Sequence, residues 1–169
     1  MNSAARPTRR KNRPVKNKAQ RPQKIEAFNF QEGRVLAGKY QVISQLGGGW
    51  EGEVYLVREL GTGIRRAAKC FFPHRNSGNK AARAYATKLH HLKDCPIVIG
   101  YHTQERFRFQ THEVQMILTD FVEGITLCRF LSKIPGQKLG PISAIQLLYT
   151  LASGPVSYTH LTLPTIYSV

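Results

Sequence analysis

The sequence predicts an α+β fold: a five-stranded antiparallel sheet with one main helix, followed by one or two further helices. Three observations carry this expectation. Alternating apolar and β-branched residues flank a glycine-rich turn, Gly47-Gly48-Gly49-Trp50-Glu51-Gly52. A third extended run then holds one lysine, Lys69, among apolar neighbours. An alanine-rich stretch with helical spacing follows, before two more extended segments.

Taken in order, residues 31–39 lead in. Tyr40 to Leu46 is expected as the first strand, residues 53–60 as the second and 64–72 as the third. The glycines form the turn of a hairpin between the first two, because Glu53-Val54-Tyr55-Leu56-Val57-Arg58 alternates as a strand does. Backbone N–H groups in such a turn can approach phosphate oxygens with no Cβ in the way. Gly61-Thr62-Gly63 is the next turn. A lysine among apolar residues, such as Lys69, is rarely fully buried without a partner. A phosphate over the hairpin would be one; the plainer reading is a snorkelling lysine in a small sheet.

Pro73 to Asn79 is a polar connection, and Lys80 to Lys93 a helix that Cys95-Pro96 closes. Residues 97–109 and 113–122 are the fourth and fifth extended segments. Thr126 to Leu131 fits a short helix. Pro141 to Ser153 is amphipathic, with Ile142, Ile145, Leu148 and Leu151 along one side.

The 169 residues carry a net charge of +15, unevenly placed. Residues 1–24 hold nine Lys and Arg and no acid, which leaves sixteen bases against ten acids elsewhere, a net +6. With prolines and almost no large apolar residue, this basic stretch cannot bury enough surface to offset its entropy. Residues 1–32 are therefore expected as a basic disordered tail. It serves as a solvated leader or as a weak contact for an anionic partner, nucleic acid or lipid. No aromatic interleaves the charges, no apolar run follows them and no segment approaches a membrane span. Cys70, Cys95 and Cys128 are far apart and odd in number, which argues against a disulfide framework and a zinc site. His90, His91 and Cys95 lie close in sequence but lack metal-ligand spacing. A reducing, cytoplasmic setting is expected.

The C-terminal residues are set apart from the fold. Val156 to Thr165 is what GTC-TCT-TAT-ACA-CAT-CTG-ACG-CTG-CCG-ACG encodes, a transposon-end adaptor used to prepare DNA for sequencing. Residues 155–169 are expected to be its translation, and the reading frame to have been cut short there. The alternative is a genuine hydrophobic strand.

Strand, glycine turn, strand, turn, lysine-bearing strand and helix together resemble the small lobe of a protein kinase, of the Ser/Thr type. Val114 to Gly124 resembles a kinase's fifth strand running into the hinge, and Pro141 to Ser153 the first long helix of the large lobe. The resemblance covers about residues 33–154: a small lobe at 33–122, then a hinge and truncated start of a large lobe at 123–154. It implies that Leu46, Gly47, Gly48, Gly49 and Gly52 cover the phosphates of ATP and that Val54 and Ala67 sandwich the purine. It implies further that Lys69 positions the α- and β-phosphates, that Thr119 lines the back of the pocket, and that backbone groups around Asp120, Phe121 and Val122 meet the purine edge.

Two departures bear on activity. In the family, a glutamate on the helix after the third strand pairs with the lysine. The matching place is near Ala86, and no acid occurs from Asn79 to Lys93. The lysine must then take another partner, or the active arrangement differs. The chain's two aspartates are Asp94 and Asp120, and neither an H-R-D nor a D-F-G occurs. Catalytic and magnesium-binding residues would belong to a large lobe beyond residue 154, so this stretch alone is expected to be inactive while the whole would transfer phosphate from ATP to a protein. A pseudokinase-like nucleotide-binding or scaffolding module, and a basic nucleic-acid-binding protein, are the alternatives.

Overall fold

The computed structural model describes residues 24–162. Six strands form one antiparallel sheet: β1 (Val35–Leu36), β2 (Tyr40–Gly49), β3 (Gly52–Glu59), β4 (Arg65–Phe71), β5 (Tyr101–Phe109) and β6 (His112–Asp120). Their order across the sheet is β1-β2-β3-β4-β6-β5. The expected five strands are all present. The sixth is the two-residue β1, too short to show a periodicity. β2 is bulged at two places before the glycines, and the hairpin closes at the Gly49–Gly52 pair with Trp50 and Glu51 at its tip.

Helix α1 (Lys80–His91) follows β4. Its cap residue Asn79 is left-handed and makes no capping hydrogen bond of its own. The buried Asn76 serves instead: its Oδ1 accepts from the Ala82 N–H at 3.1 Å. Lys88 lies in the last turn, where its positive charge complements the helix dipole. α1 packs Ala82 against Phe71 and Ile117, with Tyr85, Ala86 and Tyr101 around them. After β6 come α2 (Leu127–Leu131), capped by the Thr126 hydroxyl, and α3 (Pro141–Thr162). α3 does not stop at Ser153 but keeps its helical backbone through Pro155 to Thr162, so the helical path crosses the boundary expected at residue 155. A proline costs a helix one hydrogen bond without ending it in every case.

The main core lies on the other face of the sheet, and here the expected tail needs correction. Residues 25–32 are not a disordered extension. Ile25, Phe28 and Phe30 are buried in the same cluster as Tyr40, Val42, Tyr55, Val57, Ala68, Cys70, Val114, Met116 and Leu118. Phe28 stacks on Phe30 at 5.0 Å and lies 5.1 Å from Phe72, while Phe30 meets Phe109 edge-on at 5.3 Å. Each such ring contributes about 1.5–3 kcal/mol by burial, enough to order a short segment that polar residues could not. Residues 1–23, most of the expected tail, and 163–169, the end of the expected adaptor translation, lie outside the described residues.

Residues 25–32 form a strap over this face, held by the hairpin. Glu53 is buried, and its two carboxylate oxygens accept the Phe28 N–H at 3.2 and 3.3 Å. Tyr55 donates its hydroxyl to Glu53 and accepts the Phe30 N–H at 3.2 Å. Burial, reinforced by the Glu53 hydrogen bond, pushes the Tyr55 hydroxyl well above its ordinary range, so it stays a neutral donor.

Candidate functional site

Side chains of a strand alternate between faces, so β3 sends Glu53, Tyr55 and Val57 to the strap and Val54 to the opposite face. On that second face the register aligns the candidates. Val54 pairs with Lys69, which pairs with Ile117; Leu56 pairs with Ala67, which pairs with Thr119. Gly47 lies across from Val54. Gly47, Val54, Ala67, Lys69 and Thr119 are thus set on adjoining rows of the sheet. The Thr119 hydroxyl points toward the Ala67 carbonyl at 3.5 Å.

The four glycines differ in what they need. None sits at positive φ, so none is required by the turn itself. A Cβ on Gly52 would overlap the backbone carbonyl of Cys70, so Gly52 is demanded by the closeness of β4. A Cβ on Gly48 would make ordinary contact with Glu53, and one on Gly47 or Gly49 would meet nothing. The space above Gly47 and Gly49 is therefore left open by the protein and can admit a ligand against bare backbone. Leu46, just before them, is about half exposed.

Lys69 is four-fifths buried and has three partners. Its Nζ lies 2.7 Å from Oε2 of Glu51 at the hairpin tip. It also sits over the Tyr85 ring at 4.3 Å and the Phe71 ring at 4.8 Å. Tyr85, on α1, thus faces the lysine in place of the acid that the kinase resemblance implies near Ala86. Burial, with Glu51 nearby, raises the Tyr85 hydroxyl above its usual range. Glu51 is the residue the sequence reading missed. Its signal was its place between Gly49 and Gly52, at the tip of the hairpin that lies beside the lysine-bearing strand.

The segment after β6 is arranged for internal bonding. Asp120 pairs with Arg66 at 2.6 Å, and its N–H donates to the Gly100 carbonyl at 3.0 Å, so that N–H is spoken for. Phe121 is half-buried beneath the Arg65 guanidinium at 5.6 Å, and Arg65 pairs with Glu123. Val122 is exposed. Among the described residues no group of three His, Cys, Asp or Glu could hold a metal ion, and no helix is long and apolar enough to cross a membrane.

No family model and no curated protein sequence matches this chain. Its fold does match solved structures. The PknI kinase domain of Mycobacterium tuberculosis superimposes with a TM-score of 0.57 at 23% identity, over 78% of this chain and 51% of that one. A second crystal structure of the same domain gives 0.54 at 24% identity, over 79% and 53%. The PF14_0431 kinase domain gives 0.53 at 19%, over 63% and 31%. This chain spans about half the length of the PknI domains it resembles. The six-stranded antiparallel sheet and few helices of the described residues fit that fold. The chain has the fold of a protein-kinase small lobe joined to the start of a large lobe.

Proposed function

We propose that this chain is the ATP-binding portion of a Ser/Thr-type protein kinase. The carrying observation is Lys69, an ammonium set beside Val54 on the sheet face beneath a hairpin whose Gly47 and Gly49 leave open backbone. The residues fit the group. Gly47, Gly48 and Gly49 would present N–H groups to the phosphates, Lys69 would hold them, and Val54, Ala67 and Thr119 would line the purine pocket. The purine edge would be met by Phe121 and Val122 and by backbone groups of Asp120 other than its committed N–H. When bound, ATP supplies the transferable phosphoryl group; this stretch binds and orients it. Magnesium ligands and the catalytic aspartate would belong to a large lobe. The protein substrate would be bound there as well.

Calorimetric titration with ATP tests this reading. Lys69→Ala removes a charge-assisted contact and is expected to weaken ATP by about ten- to a hundredfold, roughly 1.5–3 kcal/mol. Lys69→Arg is impaired too, because a planar fork does not replace a compact ammonium. Lys39→Ala, which removes an exposed ion pair with Glu105, is the control. Equal ATP binding by wild type and Lys69→Ala would refute the phosphate role.

A second reading, nucleotide binding without transfer, is favoured by one observation: Lys69 pairs with the hairpin and not with an acid on α1. Magnesium-dependent autophosphorylation by a chain that includes a large lobe separates the two. The basic residues 1–24 are assigned to a weak anionic partner, with a contact that fades as salt rises. The free thiols of Cys70, Cys95 and Cys128 suit a reducing, cytoplasmic setting.

A further inference from the structure

The partner of Lys69 has a consequence for which ligands the site accepts. Glu51 stands at the tip of the hairpin, and its backbone is fastened there: its carbonyl accepts the Phe72 N–H at 2.9 Å. Its side chain turns inward, and its carboxylate meets the Lys69 ammonium at 2.7 Å, in a pair that is two-thirds or more covered on both sides. Phe71 and Tyr85 supply the aromatic walls around that ammonium. A carboxylate bound to an ammonium beneath a glycine hairpin has the charge and the acceptor oxygens that a phosphate would bring to the same place.

We infer that Glu51 is the specificity-determining residue of this site: its carboxylate occupies the phosphate position on Lys69 and must leave before a phosphate-bearing ligand can engage the lysine. This inference rests on the nucleotide reading proposed above. The closed pair acts as an internal competitor. Apparent affinity is the open-state affinity multiplied by the fraction of molecules in which the pair is open. The penalty applies to ATP and ADP, whose phosphates need Lys69. It does not apply to adenosine, which needs only the purine pocket. Wild-type protein therefore discriminates less between ATP and adenosine than the bare lysine would allow.

A double-mutant cycle with calorimetry decides the matter, using the 169-residue chain, ATP and adenosine. Glu51→Gln keeps the size of the side chain and removes its charge. It is expected to tighten ATP by about five- to tenfold, the range of a partly covered ion pair. Adenosine binding is expected to stay unchanged. In the Lys69→Ala background the same substitution is expected to leave ATP where it was, because the competitor acts through the lysine. Thermal melting of each variant confirms that the hairpin is intact, and Glu51→Ala repeats the comparison with a smaller side chain. Three results would overturn the inference. Equal tightening with and without Lys69 would reduce Glu51 to general charge repulsion. No tightening by Glu51→Gln, with ATP and adenosine both binding, would remove the competitor and leave the nucleotide reading standing. Failure of every variant to bind either ligand would bring down both together.

Discussion

On one face of the sheet, Tyr55, Val57, Ala68, Cys70, Met116 and Leu118 are sealed beneath the rings of Phe28 and Phe30. On the other, Val54, Ala67 and Lys69 are only partly covered, and the backbone at Gly47 and Gly49 stands open. The same strands build both. Adjacent residues such as Glu53 and Val54 therefore have unrelated duties: one clamps the strap and the next faces the candidate pocket. The first face is closed throughout, whereas the second is covered by α1 at Phe71 and Ile117 and left open toward the glycines. Stability and ligand binding should accordingly respond to different substitutions a single residue apart.

The largest effect is expected on the closed face. Phe30→Ala deletes a buried ring touching Tyr55, Phe107 and Phe109, and is expected to lower unfolding stability by about 3–4 kcal/mol. Urea unfolding measures this; ATP affinity per folded molecule should not change. An unaltered midpoint would mean that the strap is not part of the core. Next come the glycines, where the two faces meet. Gly52→Ala drives a methyl into the Cys70 carbonyl and is expected to cost about 1–3 kcal/mol. Gly49→Ala meets no atom of the protein, so stability should move by less than about 0.5 kcal/mol while ATP binding weakens. If the two substitutions destabilised equally, the difference in their surroundings would be immaterial.

A smaller effect is expected beyond the sheet. Ile142, Ile145, Leu148, Tyr149 and Leu151 are exposed along α3, a stripe that invites association. Replacing both Ile145 and Leu148 by Glu should cut binding of a hydrophobic dye several-fold and shift the melting midpoint little, since neither side chain is buried. Undiminished dye binding would place the sticky surface elsewhere. The mildest test is chemical. Cys128 is exposed, whereas Cys70 and Cys95 are buried, and burial pushes the Cys70 thiol far above its ordinary range. Iodoacetamide on the native protein should label Cys128 alone, read by peptide mass. Rapid labelling of Cys70 would show that the strap face opens readily.

The strands, the helix after β4 and the glycine hairpin were legible in the sequence, which carries alternation, helical spacing and turn residues as local signals between chain neighbours. It also placed Lys69 on a strand next to that hairpin. It did not reveal that Phe28 and Phe30 belong to the core, because a short aromatic segment after a basic stretch has no periodicity of its own. Its order depends on the buried Glu53 and Tyr55, 25 residues away. Nor did it reveal the partner of Lys69. Glu51 lies 18 residues from it in sequence, and only the bulged register of β2 against β3, with β4 alongside, carries that carboxylate to the ammonium. Local chemistry specifies what each segment becomes, whereas the meeting of charges across strands depends on register, which the whole sheet sets together.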